Sequence, residues 1–178
     1  MSKKIFMVCS SPRRNGNSDS LAKEFARGAI ESGNQVQVVN IRDIKLNFCI
    51  GCQTCHKTNK CVIDDSINGL LEEIKSSDVL VFVTPIYYYC MSGQLKTFLD
   101  RLNPLYEKDN KFKEVFLLAS AEDTDDKAMD GAIKGIQGWI DCYDGVQLSG
   151  VVKALGAGTK FEVSKEALLE AYEMGKSV

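Results

Sequence analysis

Ile5-Phe6-Met7-Val8-Cys9-Ser10-Ser11-Pro12-Arg13-Arg14-Asn15-Gly16-Asn17-Ser18 passes from an apolar run into a loop of hydroxyls, amides, one glycine and two arginines. The residues that follow, 19–30, have helical spacing. A strand that empties through a polar loop into a helix N-terminus is a geometry that holds phosphate. Free backbone N–H groups point outward there, and the macrodipole favours an anion. A nucleoside-triphosphate loop needs Gly-x4-Gly-Lys-Ser/Thr, and this loop has no lysine. A dinucleotide fingerprint needs Gly-x-Gly-x-x-Gly, and only Gly16 is present. A cradle for a single terminal phosphate remains. The competing reading is a helix capped by Asn17 or Ser18 with no ligand at all.

Outward from this loop, strand and helix patterns alternate. Residues 3–9, 35–41, 78–84, 115–120 and 146–155 carry strand patterns, the last with a distortion expected at Gly150. Residues 18–32, 66–76, 92–102, 127–143 and 164–176 carry helical spacing; the fourth is weakened by Gly131, Gly135 and Gly138. Continuous apolar character at 79–83 suits a strand buried on both faces. The economical fold is α/β: a five-stranded parallel sheet between helix layers, a flavodoxin-like three-layer sandwich with strand order 2-1-3-4-5. In that order a ligand sits at the C-terminal strand ends, by the switch point between strands one and three. Residues 1–178 read as one domain, with a cysteine-rich loop inserted at about 43–65.

The switch-point rule selects a second segment, Thr84-Pro85-Ile86-Tyr87-Tyr88-Tyr89-Cys90-Met91-Ser92-Gly93. A flat amphipathic ring needs apolar contact on its faces and backbone donors along its polar edge. A Pro-x-Tyr-Tyr strand end supplies both, and Ser92 is a suitable cap for the helix that follows. The alternative is that Tyr87, Tyr88 and Tyr89 are ordinary core or interface aromatics.

Three matches occur in order over about two-thirds of the chain. Ser11-Pro12-Arg13-x-x-Gly16-Asn17-Ser18 resembles the phosphate loop of the NADPH-dependent FMN reductase and iron–sulfur flavoprotein branch of flavodoxin-like proteins. Thr84-Pro85-Ile86-Tyr87 is similar to that branch's flavin segment. Gly93-x-Leu95-Lys96-x-Phe98-Leu99-Asp100-Arg101 is similar to its next helix. Ser10 departs from the family, which usually has glycine there. The resemblance implies one non-covalent FMN. Ser11, Arg13, Asn17 and Ser18 would hold its phosphate; Pro85, Ile86, Tyr87 and Tyr88 would line the ring; Ser120 would approach from the far side. No side chain need act as acid or base, because the chemistry would be at flavin N5.

Cys49-x2-Cys52-x2-Cys55-x5-Cys61 forms a third motif. Three cysteines at steps of three reach three corners of a small cube, and the fourth closes the set. The pattern resembles the ligands of a [4Fe–4S] cluster and matches the spacing of iron–sulfur flavoproteins. Zinc and free thiols remain alternatives. His56, the only histidine, lies inside this loop. Cys9, Cys90 and Cys142 are isolated and expected in the core. Asp64-Asp65 is expected to cap the following helix.

Lys and Arg total 22 against 24 Asp and Glu, a net charge of −2, so nothing points to nucleic acid. No apolar run is long enough for a membrane span or signal h-region, and the chain is expected in the cytoplasm with reduced thiols. The function expected is an FMN-dependent oxidoreductase with NAD(P)H as substrate, passing electrons to a quinone, flavin or other small-molecule acceptor. Two rivals are an iron–sulfur electron carrier served by a ferredoxin-like protein and a flavin/thiol redox sensor. A homodimer or homotetramer is expected to complete the pocket.

Overall fold

A computed structural model describes residues 2–178. The parallel sheet contains β1 (Lys4–Cys9), β2 (Gln35–Asn40), β3 (Val79–Tyr87), β5 (Glu114–Ser120) and β6 (Gln147–Ala154), in the order β2-β1-β3-β5-β6. These five strands have the expected order. A sixth, β4 (Cys90–Met91), pairs antiparallel with the end of β3.

Alternate side chains divide the core into two layers. Phe6, Val8, Leu80, Phe82, Val115 and Leu117 face α3 (Ile67–Ser76), α4 (Gly93–Asp100) and α5 (Asp130–Ile140). Ile5, Met7, Val79, Val81, Val83 and Leu118 face α1 (Asn17–Glu31) and α6 (Lys165–Ser177). Period-two alternation on strands covered from both sides yields this arrangement, and β3 therefore appears as an unbroken apolar run. The expected distortion of the last strand is a bulge: Val115 pairs with Leu148 and Phe116 with Gly150, leaving Ser149 unmatched.

Several local expectations change. The third strand runs to Tyr87 instead of ending at Thr84, and turns back through Tyr88 (φ 48°) and Tyr89 (φ 61°). The expected helix 127–143 is a 3₁₀ turn, Asp126–Met129, followed by α5. The cysteine-rich loop contains a short helix, α2 (Thr54–Thr58), bracketed by left-handed Gln53 and Asn59. Its strong local bends hide it from periodicity. Cys9 is buried as expected, whereas Cys90 and Cys142 are exposed. Cys90 is carried out by the hairpin, and Cys142 lies just past the end of α5.

Candidate functional site

Neither Asn17 nor Ser18 caps α1. Gly16 is the N-cap residue, in extended conformation, with no side-chain cap bond. Among the described residues, the N–H groups of Asn17, Ser18 and Asp19 have no protein acceptor. Three orphan donors at a helix start form an anion site. The loop in front of them is pre-organised. Arg42 Nη1 donates to the carbonyls of Ser11 and Arg13 and to Asp19 Oδ1, each at 3.0 Å. The Asn15 N–H donates to Asp19 Oδ2 at 2.7 Å.

Ser10, the departure from the family pattern, has a clear role. Its hydroxyl donates to the Val83 carbonyl at 3.0 Å and accepts from the Ser92 hydroxyl at 2.9 Å. Ser92 in turn caps α4 by accepting the Leu95 N–H. A buried hydroxyl chain thus ties the end of β1 to β3 and to the start of α4. Buried hydroxyls need such partners.

Ser11, Arg13, Asn17, Ser18, Pro85, Ile86, Tyr87 and Ser120 all line one cleft, with about 560 Å³ of space open in part to solvent. Ser18 Oγ and Ser120 Oγ are 2.8 Å apart at its floor. Its last wall, Ala157, Gly158, Thr159 and Lys160, has no motif in the sequence. Asn17 builds that wall. Its Nδ2 donates to the carbonyls of Ala157 (2.8 Å) and Thr159 (2.6 Å), and its Oδ1 accepts the Glu162 N–H. The Asn17 side chain is therefore committed to positioning residues 157–162, and its backbone N–H is the part free for an anion. Arg13 Nη1 similarly donates to the Gly158 carbonyl at 3.2 Å.

Tyr88 lies outside the cleft and is fully exposed, at the tip of the β3–β4 turn. Two adjacent tyrosines in left-handed conformation cost roughly 1–2 kcal/mol each. Tyr89 is tied down by its hydroxyl, which donates to Asp123 Oδ2 at 2.9 Å. That bond raises the Tyr89 pKa. The turn rests directly on α5: a Cβ on Gly131 would lie 2.3 Å from the Tyr89 carbonyl oxygen. Gly131 and Gly135 give the hairpin room to approach, a Cβ on Gly135 lying 2.7 Å from the Met91 Cε, whereas a Cβ on Gly138 would meet nothing within 4 Å. Beneath the loop, burial and the Asp19 carboxylate push the Cys9 thiol up to about 12, so it stays protonated.

Cys49, Cys52, Cys55 and Cys61 line a second cavity with Arg101 and Asn103. Among the described residues, no three His, Cys, Asp or Glu side chains are placed to hold a single metal ion. The four cysteines share this one cavity. Asp65 does accept the Ile67 N–H at the start of α3, as expected, but its main partner is Arg101. Arg101 Nη1 and Nη2 grip its two oxygens at 2.6 and 2.9 Å, and both side chains are completely covered. Burial alone would raise the Asp65 pKa. Its hydrogen bonds from Arg101 and from the N–H groups of Asn47 and Ile67 outweigh burial and hold it at about 2. Thr54 holds the Cys52 thiol below its ordinary value through its backbone N–H and its hydroxyl.

The family model described as NADPH-dependent FMN reductase matches residues 3–129. An iron-sulfur flavoprotein of Methanocaldococcus jannaschii is 34% identical over 102 residues, 57% of this chain and 53% of that protein. An iron-sulfur flavoprotein of Archaeoglobus fulgidus is 34% identical over 97 residues, 54% of this chain and 44% of its own length. The matched segment thus spans about half the length of these curated relatives. Among solved structures, an NAD(P)H:quinone oxidoreductase from Methanothermobacter marburgensis superposes with a TM-score of 0.78 at 16% identity, covering 99% of this chain and 96% of that one. At that identity the likeness concerns the fold.

Proposed function

The chain belongs to the NADPH-dependent FMN reductase family, and on that premise we propose that it is an FMN-dependent NAD(P)H oxidoreductase acting on a quinone, flavin or similar small acceptor. One observation carries this reading. The uncapped start of α1 opens onto the same cleft as the Pro85–Tyr87 strand end. An anion site and an amphipathic wall are the two things a flavin mononucleotide requires.

The residues present fit that group. The backbone N–H groups of Asn17, Ser18 and Asp19, with the Ser11 and Ser18 hydroxyls, would hold the phosphate. Pro85, Ile86 and Tyr87 would flank the ring, and Ser120 would approach from the opposite side. Bound FMN supplies two-electron exchange with a nicotinamide and release of those electrons to an acceptor. The protein orients the ring and keeps water from the wall formed by Pro85 and Ile86. It needs no side-chain acid or base. Titration with FMN and assay of NAD(P)H oxidation with a quinone test the reading. A chain that neither quenches FMN fluorescence nor oxidises NAD(P)H overturns it.

The four-cysteine cavity favours an additional component, a [4Fe–4S] cluster on Cys49, Cys52, Cys55 and Cys61. The donor set fits: four thiols around one space, with the buried Arg101 Nε on its wall lacking any partner. Such a group supplies one-electron transfer. The chain would then act as a carrier between a ferredoxin-like donor and the flavin. Iron and acid-labile sulfide analysis after anaerobic purification tests this component independently of FMN binding.

A further inference from the structure

Hydrogen-bond donors stand beside two sulfurs of the four-cysteine cavity, and another lines it. The Gly51 N–H donates to Cys49 Sγ at 3.5 Å. Asn103 Nδ2 lies 3.2 Å from Cys55 Sγ, and 2.9 Å from His56 Nε2. The buried Arg101, whose Nε has no hydrogen-bond partner, lines the same cavity as Cys61. The Gly51 N–H belongs to the cysteine loop. The other two come from the end of α4 and the turn after it, 48 residues from Cys55 in the case of Asn103.

Their placement carries a physical consequence. Asp65 neutralises the Arg101 charge almost in contact, through two short bonds. Arg101 therefore does not act on the cavity as a free cation; what it has left to offer a bound group is one unpartnered N–H, at Nε. Asn103 is uncharged and acts in the same way. A sulfur-ligated group gains one negative charge when it accepts an electron, and no proton need accompany it. N–H donors aimed at the sulfurs stabilise that more negative state over the oxidised one and raise the reduction potential.

We infer that Asn103 and Arg101 are positioning residues for a cluster at the four cysteines, Asn103 by its contact with the Cys55 sulfur and Arg101 by its unpartnered Nε–H in the same cavity, and that they set the potential at which the cluster accepts an electron from a ferredoxin-class donor. This rests on the cluster component proposed above. Asn103 is the sharper lever, because its removal leaves no buried charge behind.

The test uses the full chain, reconstituted anaerobically with iron and sulfide. Wild type, Asn103→Ala and Arg101→Lys are compared by iron content, by potentiometric titration of the visible absorbance and by FMN affinity. Wild type should hold about four iron atoms. At a fixed applied potential, Asn103→Ala should show a reduced-to-oxidised ratio lowered about tenfold, or ~59 mV for a one-electron couple. Arg101→Lys should shift in the same direction, and FMN affinity should stay at the wild-type value in both. Asn103→Ala that loses iron yet keeps its FMN affinity also supports the positioning role. Asn103→Ala fully loaded and titrating at the wild-type potential overturns the inference. Wild type without iron after reconstitution overturns the cluster reading itself, so iron content separates the two failures.

Discussion

The phosphate loop and the cysteine loop both present small polar side chains to a cavity, yet they are held in different ways. The phosphate loop joins two packed elements, β1 and α1, and is bound from several directions. Arg42 reaches two of its carbonyls, Asp19 accepts from Asn15, and the Ser10–Ser92 hydroxyl chain fixes its root. The cysteine loop runs along the outside, with Phe48 79% and Ile50 69% exposed, and is fastened at a few points: the covered Arg101–Asp65 pair, Asn68 on the Cys61 backbone, and Asn103 beside Cys55 and His56. Many modest contacts make a site that tolerates the loss of any one. A loop whose only covered ion pair is one of a few fastenings is the more exposed to a single substitution there.

Arg101→Met should break the contrast most visibly. It leaves the Asp65 carboxylate covered and unpaired, which should cost about 3 kcal/mol in urea denaturation. In the chain that still folds, the cysteine loop should become protease-sensitive while FMN binds as before. Loss of FMN affinity in that variant would show that the two sites are one structural unit.

The same ion pair gives a pH signature. The Asp65 pKa falls from its ordinary 3.8 to about 2 in the folded chain. A depressed carboxylate contributes stability that is fully present above pH ~3.8 and lost as pH falls through ~2, here about 2 kcal/mol. Asp65→Asn should flatten that part of the stability–pH curve, as followed by urea midpoints between pH 2 and 5. An unchanged acid limb would mean that other carboxylates carry it.

On the other side of the contrast, Ser18→Ala removes a donor from the proposed phosphate site and the partner of Ser120. A hydrogen bond to a charged group is worth about 2 kcal/mol, so FMN affinity should fall about thirtyfold, and the buried Ser120 hydroxyl left without its partner should lower folding stability by about 1 kcal/mol. Unchanged FMN affinity would leave the loop as a helix start and nothing more.

The smallest effect should come from Tyr88→Gly. Tyr88 is fully exposed with φ 48°, so glycine relieves strain at the tip without removing contacts. The added freedom of the unfolded chain offsets part of that gain. A net stabilisation of about 0.5 kcal/mol, one or two degrees in Tm, is expected by calorimetry. A loss of stability would show that the tip is anchored by more than Tyr89 and α5.

The sequence by itself determined the alternation of elements, the order of the five main strands, the phosphate loop and the four-cysteine spacing. The alternation, the loop and the spacing are local in origin, because period-two and helical patterns, turn residues and close spacings are written along the chain, and the strand order follows from the fold class that the alternation selects. It also marked Ser92 as the α4 cap and Gly150 as a strand defect, both tied to short-range backbone needs. Tertiary structure decided what those residues touch. Asn17 reads as a phosphate ligand, but the approach of residues 157–162 turns its side chain into a brace. Tyr88 reads as a ring contact, but a left-handed turn braced on Gly131 throws it into solvent. Arg101 and Asn103 join the cysteine cavity only because α4 ends beside it. A hydrogen bond or ion pair between distant residues leaves no period and no spacing in the sequence. It exists only once the packed sheet has brought both ends to the same place.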